Sequence, residues 1–268
     1  MLEIIVPGAT AVSARVVLFD FDGTVSLIRS GWMNVMVPMM TEILLELNTG
    51  ESEADLRAVV EDFVWRLTGQ ETVYQMIELA RQVEVRGGAP LDPLVYKRMY
   101  LDRLWDVIKD RVRALESGTA SPDDYLVPGT RALLESLRAR GLRMYLASGT
   151  DEEYMKREAG LLGVTPYFDG GVYGAIDDYR NFSKGILIRR ILDSAEFRGP
   201  EFLAFGDGYV EIEEVKRIGG TAVGVATEEP ECRRVDLWKR DRLVGVGADM
   251  IVPNYLELDR LNAALFRA

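Results

Sequence analysis

From Val127 onward, short apolar runs alternate with stretches of helical periodicity, the pattern of a parallel sheet covered by helices. Pro128-Gly129 opens a predicted helix through Ala139, with Gly141 placed to end it. Leu142 to Ala147 reads as a strand, and Thr150 with Glu153 has the spacing of a capping box for the helix that follows. Ser183 is placed to cap a helix running to about Phe197. Glu201 to Phe205 is a strand, Tyr209 to Ile218 a helix closed by Gly219-Gly220, and Thr221 to Ala226 a further strand. Asp249 to Val252 and Tyr255 to Phe266 complete the pattern as strand and helix. With the apolar run Ala14 to Phe19, at least five strands are expected.

Between Leu27 and Tyr125 the strand signals vanish. Met33, Met36, Val37, Met40, Leu44 and Leu47 recur at helical spacing, and Pro38 is expected to bend that helix near its first turns. Further helices are predicted at Glu53 to Leu67, Glu71 to Val85 and Asp92 to Leu115. The methionine stripe reads as helix packing rather than a ligand surface. An insert of roughly a hundred residues is long enough to form a domain of its own. Its borders, Ser26 to Gly31 and Ser117 to Pro122, have the composition of hinges. The expected organisation is a core domain from residues 1–26 and 126–268, with a helical domain at 27–125.

Composition removes several chemistries. The 268 residues include no histidine, so acid and base work falls to carboxylates, lysine or tyrosine. The single cysteine, Cys232, is followed six positions later by Trp238 rather than arginine, so the usual cysteine phosphatase loop is missing. No internal disulfide can form, which fits a reducing compartment. A formal charge of -11, from 32 basic and 43 acidic residues, disfavours nucleic acid or an anionic membrane as the main partner. No apolar run reaches the length of a membrane span, and Met1-Leu2-Glu3-Ile4 lacks the basic start of a signal peptide. A cytoplasmic protein acting on a small molecule is expected; oligomeric state leaves no signal.

The apolar run ending at Phe19 delivers Asp20 and Asp22 into the turn Asp20-Phe21-Asp22-Gly23-Thr24. Alternation along an extended backbone points both aspartates to one side, with Phe21 turned into packing. Crowded like charges imply either a bound metal or a carboxylate with a raised pKa. Three further segments end core strands in polar residues, where open α/β sheets place their sites. Leu146-Ala147-Ser148-Gly149-Thr150 brings a hydroxyl and free amides to a helix start suited to an anion. Lys184 stands at the start of its helix, with no other lysine between Lys156 and Lys216. In Gly206-Asp207-Gly208-Tyr209-Val210-Glu211 two acids four apart face one point above the sheet, suiting a hard cation.

This ordered set resembles the haloacid dehalogenase superfamily, whose four motifs match Asp20-Phe21-Asp22-Gly23-Thr24, Ser148, Lys184, and Asp207 with Glu211. The resemblance covers the core, including Tyr167-Phe168-Asp169-Gly170. The insert between the first and second motifs is similar to the helical cap of phosphoglycolate phosphatase-like members, and the span from Ser148 to Lys184 leaves no room for the alternative large cap. Glu211 stands where aspartate is common, and the usual proline after Lys184 is absent.

The resemblance implies a Rossmann-like core with helices on both faces, and a Mg²⁺-dependent phosphatase for a small phosphorylated metabolite. Asp20 is then the nucleophile that forms an aspartyl phosphate, and Asp22 the general acid and base. Mg²⁺ is expected on Asp20, the Asp22 main-chain oxygen and Asp207, with Glu211 orienting metal-bound water. Gly23, Thr24, Ser148, Gly149 and Lys184 are expected to hold phosphate oxygens, under a closing cap. Asp22 argues against a dehalogenase or a transport ATPase, whereas a phosphomutase needs the same two aspartates and stays open. A dinucleotide-binding oxidoreductase is disfavoured, because the first turn offers carboxylates instead of glycines. A silent binding or regulatory domain would have lost part of the motif set. Arg29 and Trp32, beyond the first motif, and Gln70, in a polar break with Arg66, Thr68 and Gly69, are candidates to contact the leaving group of a sugar phosphate or small phosphorylated acid.

Overall fold

The chain folds around Val16–Phe19, a strand whose residues are all buried, as a central parallel strand covered on both faces requires. The structure, a computed structural model, describes residues 1–176, 183–193 and 197–267, with the side chains of Lys184, Ile188, Leu192 and Asp193 also outside the described set. In chain order the strands are β1 (Glu3–Ile4), β2 (Val16–Phe19), β3 (Arg143–Asp151), β4 (Gly171–Ala175), β5 (Phe202–Gly206), β6 (Thr221–Val225) and β7 (Met250–Val252). They form one seven-stranded sheet in the order β1-β7-β6-β5-β2-β3-β4. Every pair is parallel except β1 with β7 at one edge. Helices α1 (Met33–Leu45), α2 (Glu53–Leu67), α3 (Thr72–Val85) and α4 (Pro93–Glu116) form an insertion after β2. The core helices are α5 (Thr130–Ala139), α6 (Glu152–Leu161), α7 (Lys184–Asp193), α8 (Val210–Arg217), α9 (Leu237–Gly245) and α10 (Leu258–Phe266). This is the α/β, Rossmann-like architecture with a helical insertion that the patterning predicts.

Side chains of β2 alternate between two apolar layers. Val17 and Phe19 join Leu203, Phe205 and Tyr255 on one face, while Val16 and Leu18 join Ala204, Ile212 and Leu243 on the other. The first layer continues through Phe21 and Ile28 to Met36, Met40, Phe63 and Leu104. The insertion therefore shares its apolar core with the sheet, and the methionine stripe is packing, as expected. Phe19 pairs in register with Leu146 of β3 and with Phe205 of β5. The carboxyl ends of three neighbouring strands are thus level, and the chain leaves β3 outward to β4 before returning to β5 on the far side of β2. A reversal of that kind opens a crevice above the strand ends.

Several predicted elements differ in detail. Strands β1 and β4 were not anticipated: one has only two residues, and the other, Gly171-Val172-Tyr173-Gly174-Ala175, carries two glycines that dilute the strand signal. Strand β3 runs on to Asp151, so α6 starts at Glu152 with Asp151 as N-cap and no side-chain cap bond; the Thr150–Glu153 capping box does not form. Ser183 does cap α7, its Oγ accepting the Ile186 N–H at 3.1 Å, but α7 ends at Asp193 and residues 194–196 on the way to Phe197 lie outside the described set. Helix α2 spans the residues predicted for it, held at its start by the Ser52 side chain. Pro38 sits inside α1 without ending it. Among the described residues no helix is long and apolar enough to cross a membrane.

The stacked pair Phe19 and Phe205, with centroids 4.8 Å apart and rings 8° from parallel, sits directly beneath the strand ends. Phe205→Ala should lower the unfolding free energy by about 3–5 kcal/mol, measured by urea denaturation; a loss below about 1 kcal/mol would contradict this account of the core.

Candidate active site

Where β2 stops, the Asp20 N–H donates to Phe205 O at 2.9 Å, so the first aspartate is fixed against the end of β5. The turn closes through the Val25 and Ser26 N–H groups, both 2.8 Å from Phe21 O. Gly23 has φ +73°, and a Cβ there would collide with Oδ2 of Asp207. Only glycine both adopts that conformation without strain and admits the Asp207 carboxylate so near the turn. The Gly23 N–H is taken by Ser26 O at 2.9 Å, which makes its contribution to the site one of shape.

Asp20, Asp22, Ser148, Gly149 and Asp207 line one cavity of about 90 Å³, together with Arg29, Trp32 and Gln70. That volume is well below the range typical of drug-sized ligands, ~300–1,000 Å³. Asp22 Oδ2 accepts from Thr150 Oγ1 at 2.9 Å and Ser148 Oγ at 3.2 Å. Oδ1 is buried without a partner, as is Oγ1 of Thr24. Burial pushes the Asp22 carboxyl up to about 6, against a smaller lowering by the Arg29 guanidinium. The sequence pointed to crowding by Asp20 as the cause of a raised pKa; burial is the main cause, and the carboxylate that adds to it is Glu158. A carboxyl titrating near neutrality, with one oxygen tied to hydroxyls and the other unengaged, is suited to pass a proton.

Three features of this neighbourhood carried no sequence signal. The Lys239 Nζ, from α9, donates to Asp207 Oδ2 and Glu229 Oε1, each at 2.9 Å. Burial pulls the Lys239 ammonium down, but the two carboxylates outweigh it and hold its pKa above the ordinary value. Arg29, a candidate for leaving-group contact, lines the cavity yet places Nε and Nη2 on Glu158 at 3.0 and 2.7 Å in a buried pair. Lys97 of α4 pairs with Asp151 at the end of β3. Each of these partners is at least ten residues from its mate, beyond the reach of motif spacing.

Glu211 is 1% exposed and its Oε1 accepts the Gly208 N–H at 3.1 Å. It braces the turn after β5 from beneath and is not among the residues lining the cavity. Lys184 is the first residue of α7; its side chain lies outside the described residues. As for a metal, Asp20 and Asp207 offer carboxylates to one cavity, and no group of three or more acidic, histidine or cysteine side chains forms a cage among the described residues. Mg²⁺ is held by one or two carboxylates with several waters, so the donor set, with the Asp22 main-chain oxygen, fits that ion. The partnerless Asp22 Oδ1 and Thr24 Oγ1 further mark this turn as built to receive polar company.

The insertion reaches the strand ends through the α2–α3 turn. A Cβ on Gly208 would lie 2.7 Å from Gly69 Cα, and one on Gly149 would lie 2.6 Å from Gln70 O, so glycines on the core side let the turn sit directly on it. Gln70 donates to the Tyr209 hydroxyl. Arg242 donates to Trp65 O and, at 2.7 Å, to Arg66 O, capping the end of α2, while the Trp65 and Trp238 rings meet at 4.0 Å.

The sequence model of the haloacid dehalogenase-like hydrolase family matches residues 14–219. Among solved structures, a predicted phosphatase from Clostridium acetobutylicum is similar, with a TM-score of 0.58 and 18% identity over 94% of this chain and 99% of that one. A predicted phosphoglycolate phosphatase from Haemophilus somnus 129pt has a TM-score of 0.56 and 13% identity over 93% and 98% of the two chains. A haloacid dehalogenase-family hydrolase from Deinococcus radiodurans R1, with bound phosphate and sodium, has a TM-score of 0.54 and 17% identity over 96% and 100%. At such identities the likeness is one of fold. No curated protein matches the chain.

Enclosure of Asp22 has a cost in stability with a defined sign. Its carboxyl is raised from 3.8 to about 6, so the folded state holds a proton that the unfolded state has released. Stability falls as pH rises between those values and stays reduced above them. Asp22→Asn should therefore unfold at higher urea than the parent at pH 8 and lose that advantage by pH 4. The gain is at most about 3 kcal/mol; a variant less stable than the parent at pH 8 would refute the burial argument.

Proposed function

Because the chain belongs to the haloacid dehalogenase-like hydrolase family, we propose that it is a phosphatase that cleaves a small phosphate monoester by way of Asp20. The observation that carries the reading is Asp22: a carboxyl raised to about 6, with Oδ1 unengaged, in the same cavity as Asp20. Asp20 attacks phosphorus, the bond to the leaving oxygen breaks, and Asp22 passes its proton to that oxygen. Asp22, now a carboxylate, takes a proton from the water that attacks the aspartyl phosphate, which releases phosphate and restores Asp20. The hydroxyls of Ser148 and Thr150 on Oδ2 keep the carboxyl oriented through both steps.

Thr24, Ser148 and the Gly149 turn are the neighbours from which phosphate oxygens would be held, with Lys184 as the cation for that task. The bound phosphate of the Deinococcus radiodurans relative supports an anion site in this fold. Asp20, Asp207 and the Asp22 main-chain oxygen would hold Mg²⁺, which would supply positive charge between an anionic nucleophile and an anionic phosphate. Lys239 donates to Asp207 Oδ2 and so orients it. The helical insertion, taken as a cap over residues 27–125, excludes water through its α2–α3 turn.

Phosphate release from acetyl phosphate and p-nitrophenyl phosphate should require Mg²⁺ and stop with EDTA. Asp20→Asn should abolish it, and Asp22→Asn should slow it by about 10²–10⁴-fold for p-nitrophenyl phosphate with the fold intact by circular dichroism. Full turnover in Asp20→Asn would remove the nucleophile and with it the proposal.

A further inference from the structure

Away from the reacting carboxylates, the charges around the cavity are already matched within the protein. Among the described residues, Arg29 is the one cation that lines it, and two of its nitrogens are on Glu158. Asp151 adds a further carboxylate to the lining, held by the buried Lys97. The remaining polar wall is neutral. Gln70 and Gln75 both line the cavity and direct amide N–H groups inward, to the Tyr209 hydroxyl and, at 3.4 Å, to Val64 O. Each amide keeps its oxygen as an acceptor and a second N–H as a donor. Thr68 likewise donates to Val64 O at 2.9 Å and keeps its acceptor capacity. Tyr100 is 4% exposed and lines the cavity; burial holds its phenol above the ordinary pKa, so it stays a neutral hydroxyl.

Resting on the phosphatase reading above, we infer that the leaving group is uncharged and hydroxylated, a polyol or small sugar, rather than a carboxylate-bearing acid. Substrate hydroxyls both donate and accept, and so match a wall of amide oxygens and hydroxyls. A carboxylate only accepts. It would meet amide oxygens and Asp151 with no uncommitted cation among the described lining residues, and an unpaired charge in an enclosed site is expensive. Specificity arises as much from that mismatch as from the favourable contacts.

The test compares two esters that share a skeleton, glycerol 3-phosphate and 3-phosphoglycerate, which differ by a hydroxymethyl group against a carboxylate. The ratio of kcat/KM should favour glycerol 3-phosphate by about tenfold or more. Acetyl phosphate turnover with parity or reversed preference overturns the inference alone; no turnover of any ester, acetyl phosphate included, overturns the phosphatase reading and the inference with it. Glu158→Gln leaves the Arg29 charge unmatched and should shift the ratio toward 3-phosphoglycerate by about fivefold or more. If that variant does not fold, Asp151→Asn, which removes a carboxylate from another part of the wall, should shift it the same way. An unchanged ratio in the folded variant shows that the internal pairs do not set the preference and refutes the argument.

Discussion

Enclosure of one carboxyl group is the constraint on which the rest of the structure turns. Asp22 is held away from water, and burial outweighs the attraction of Arg29, leaving its carboxyl pushed up to about 6. An isolated carboxylate in low dielectric is strongly disfavoured, so the group survives there by a mixture of protonation and hydrogen bonding. Ser148 and Thr150 provide the bonds to one oxygen. The carboxyl is thereby kept in the state a proton donor needs, in a site that would otherwise select a neutral side chain.

That enclosure depends on the sheet. Asp20 follows the last residue of β2, which pairs with Leu146 and Phe205, so Ser148 and Asp207 lie two positions past their own paired residues at the same height as the turn. Glycines then remove the bulk that would hold the parts apart. Gly23 admits Asp207, Gly149 admits Gln70, and Gly208 admits Gly69. Beneath them, Phe19, Phe205 and Tyr255 form a rigid floor, and the Tyr255 hydroxyl donates to Thr24 O at 2.9 Å, tying the turn to the core. The apolar layer that stabilises the sheet also anchors the insertion, which makes closure over Asp22 a property of the packed core.

Local pattern carried the main elements and the polar residues that the strand ends bring to one cavity. Asp20, Asp22, Ser148 and Asp207 were legible because each ends an apolar run, and α2 because a serine cap precedes a clean amphipathic repeat. Thr150 was misread as a helix cap because the same hydroxyl serves a cap or a distant carboxyl equally well, and only the strand's extension to Asp151 decides between them. Glu211 has the spacing of a metal ligand, yet it is turned back onto the Gly208 N–H, a choice fixed by backbone geometry that spacing does not encode. Lys239 and Glu229 were invisible for a different reason. Their chemistry exists only as a trio with Asp207, and neither of the two stands out from ordinary surface charge in a chain with 32 basic and 43 acidic residues.

The same reasoning separates the two sides of the cavity. Asp20 and Asp22 sit on a turn whose position is dictated by strand pairing, and any displacement of them disturbs the sheet. Neutral side chains on the insertion, among them Gln75 of α3 and Tyr100 of α4, line the cavity from the buried faces of their helices. Arg29 with Glu158, and Lys97 with Asp151, join the two parts through charges that cancel. Breaking a buried pair leaves one charge exposed to whatever the cavity holds, at a cost of about 3–5 kcal/mol when nothing compensates it. Arg29 lines the cavity, so on the reading proposed above its pair with Glu158 is a structural fastening whose charge a substitution would turn toward a ligand carboxylate.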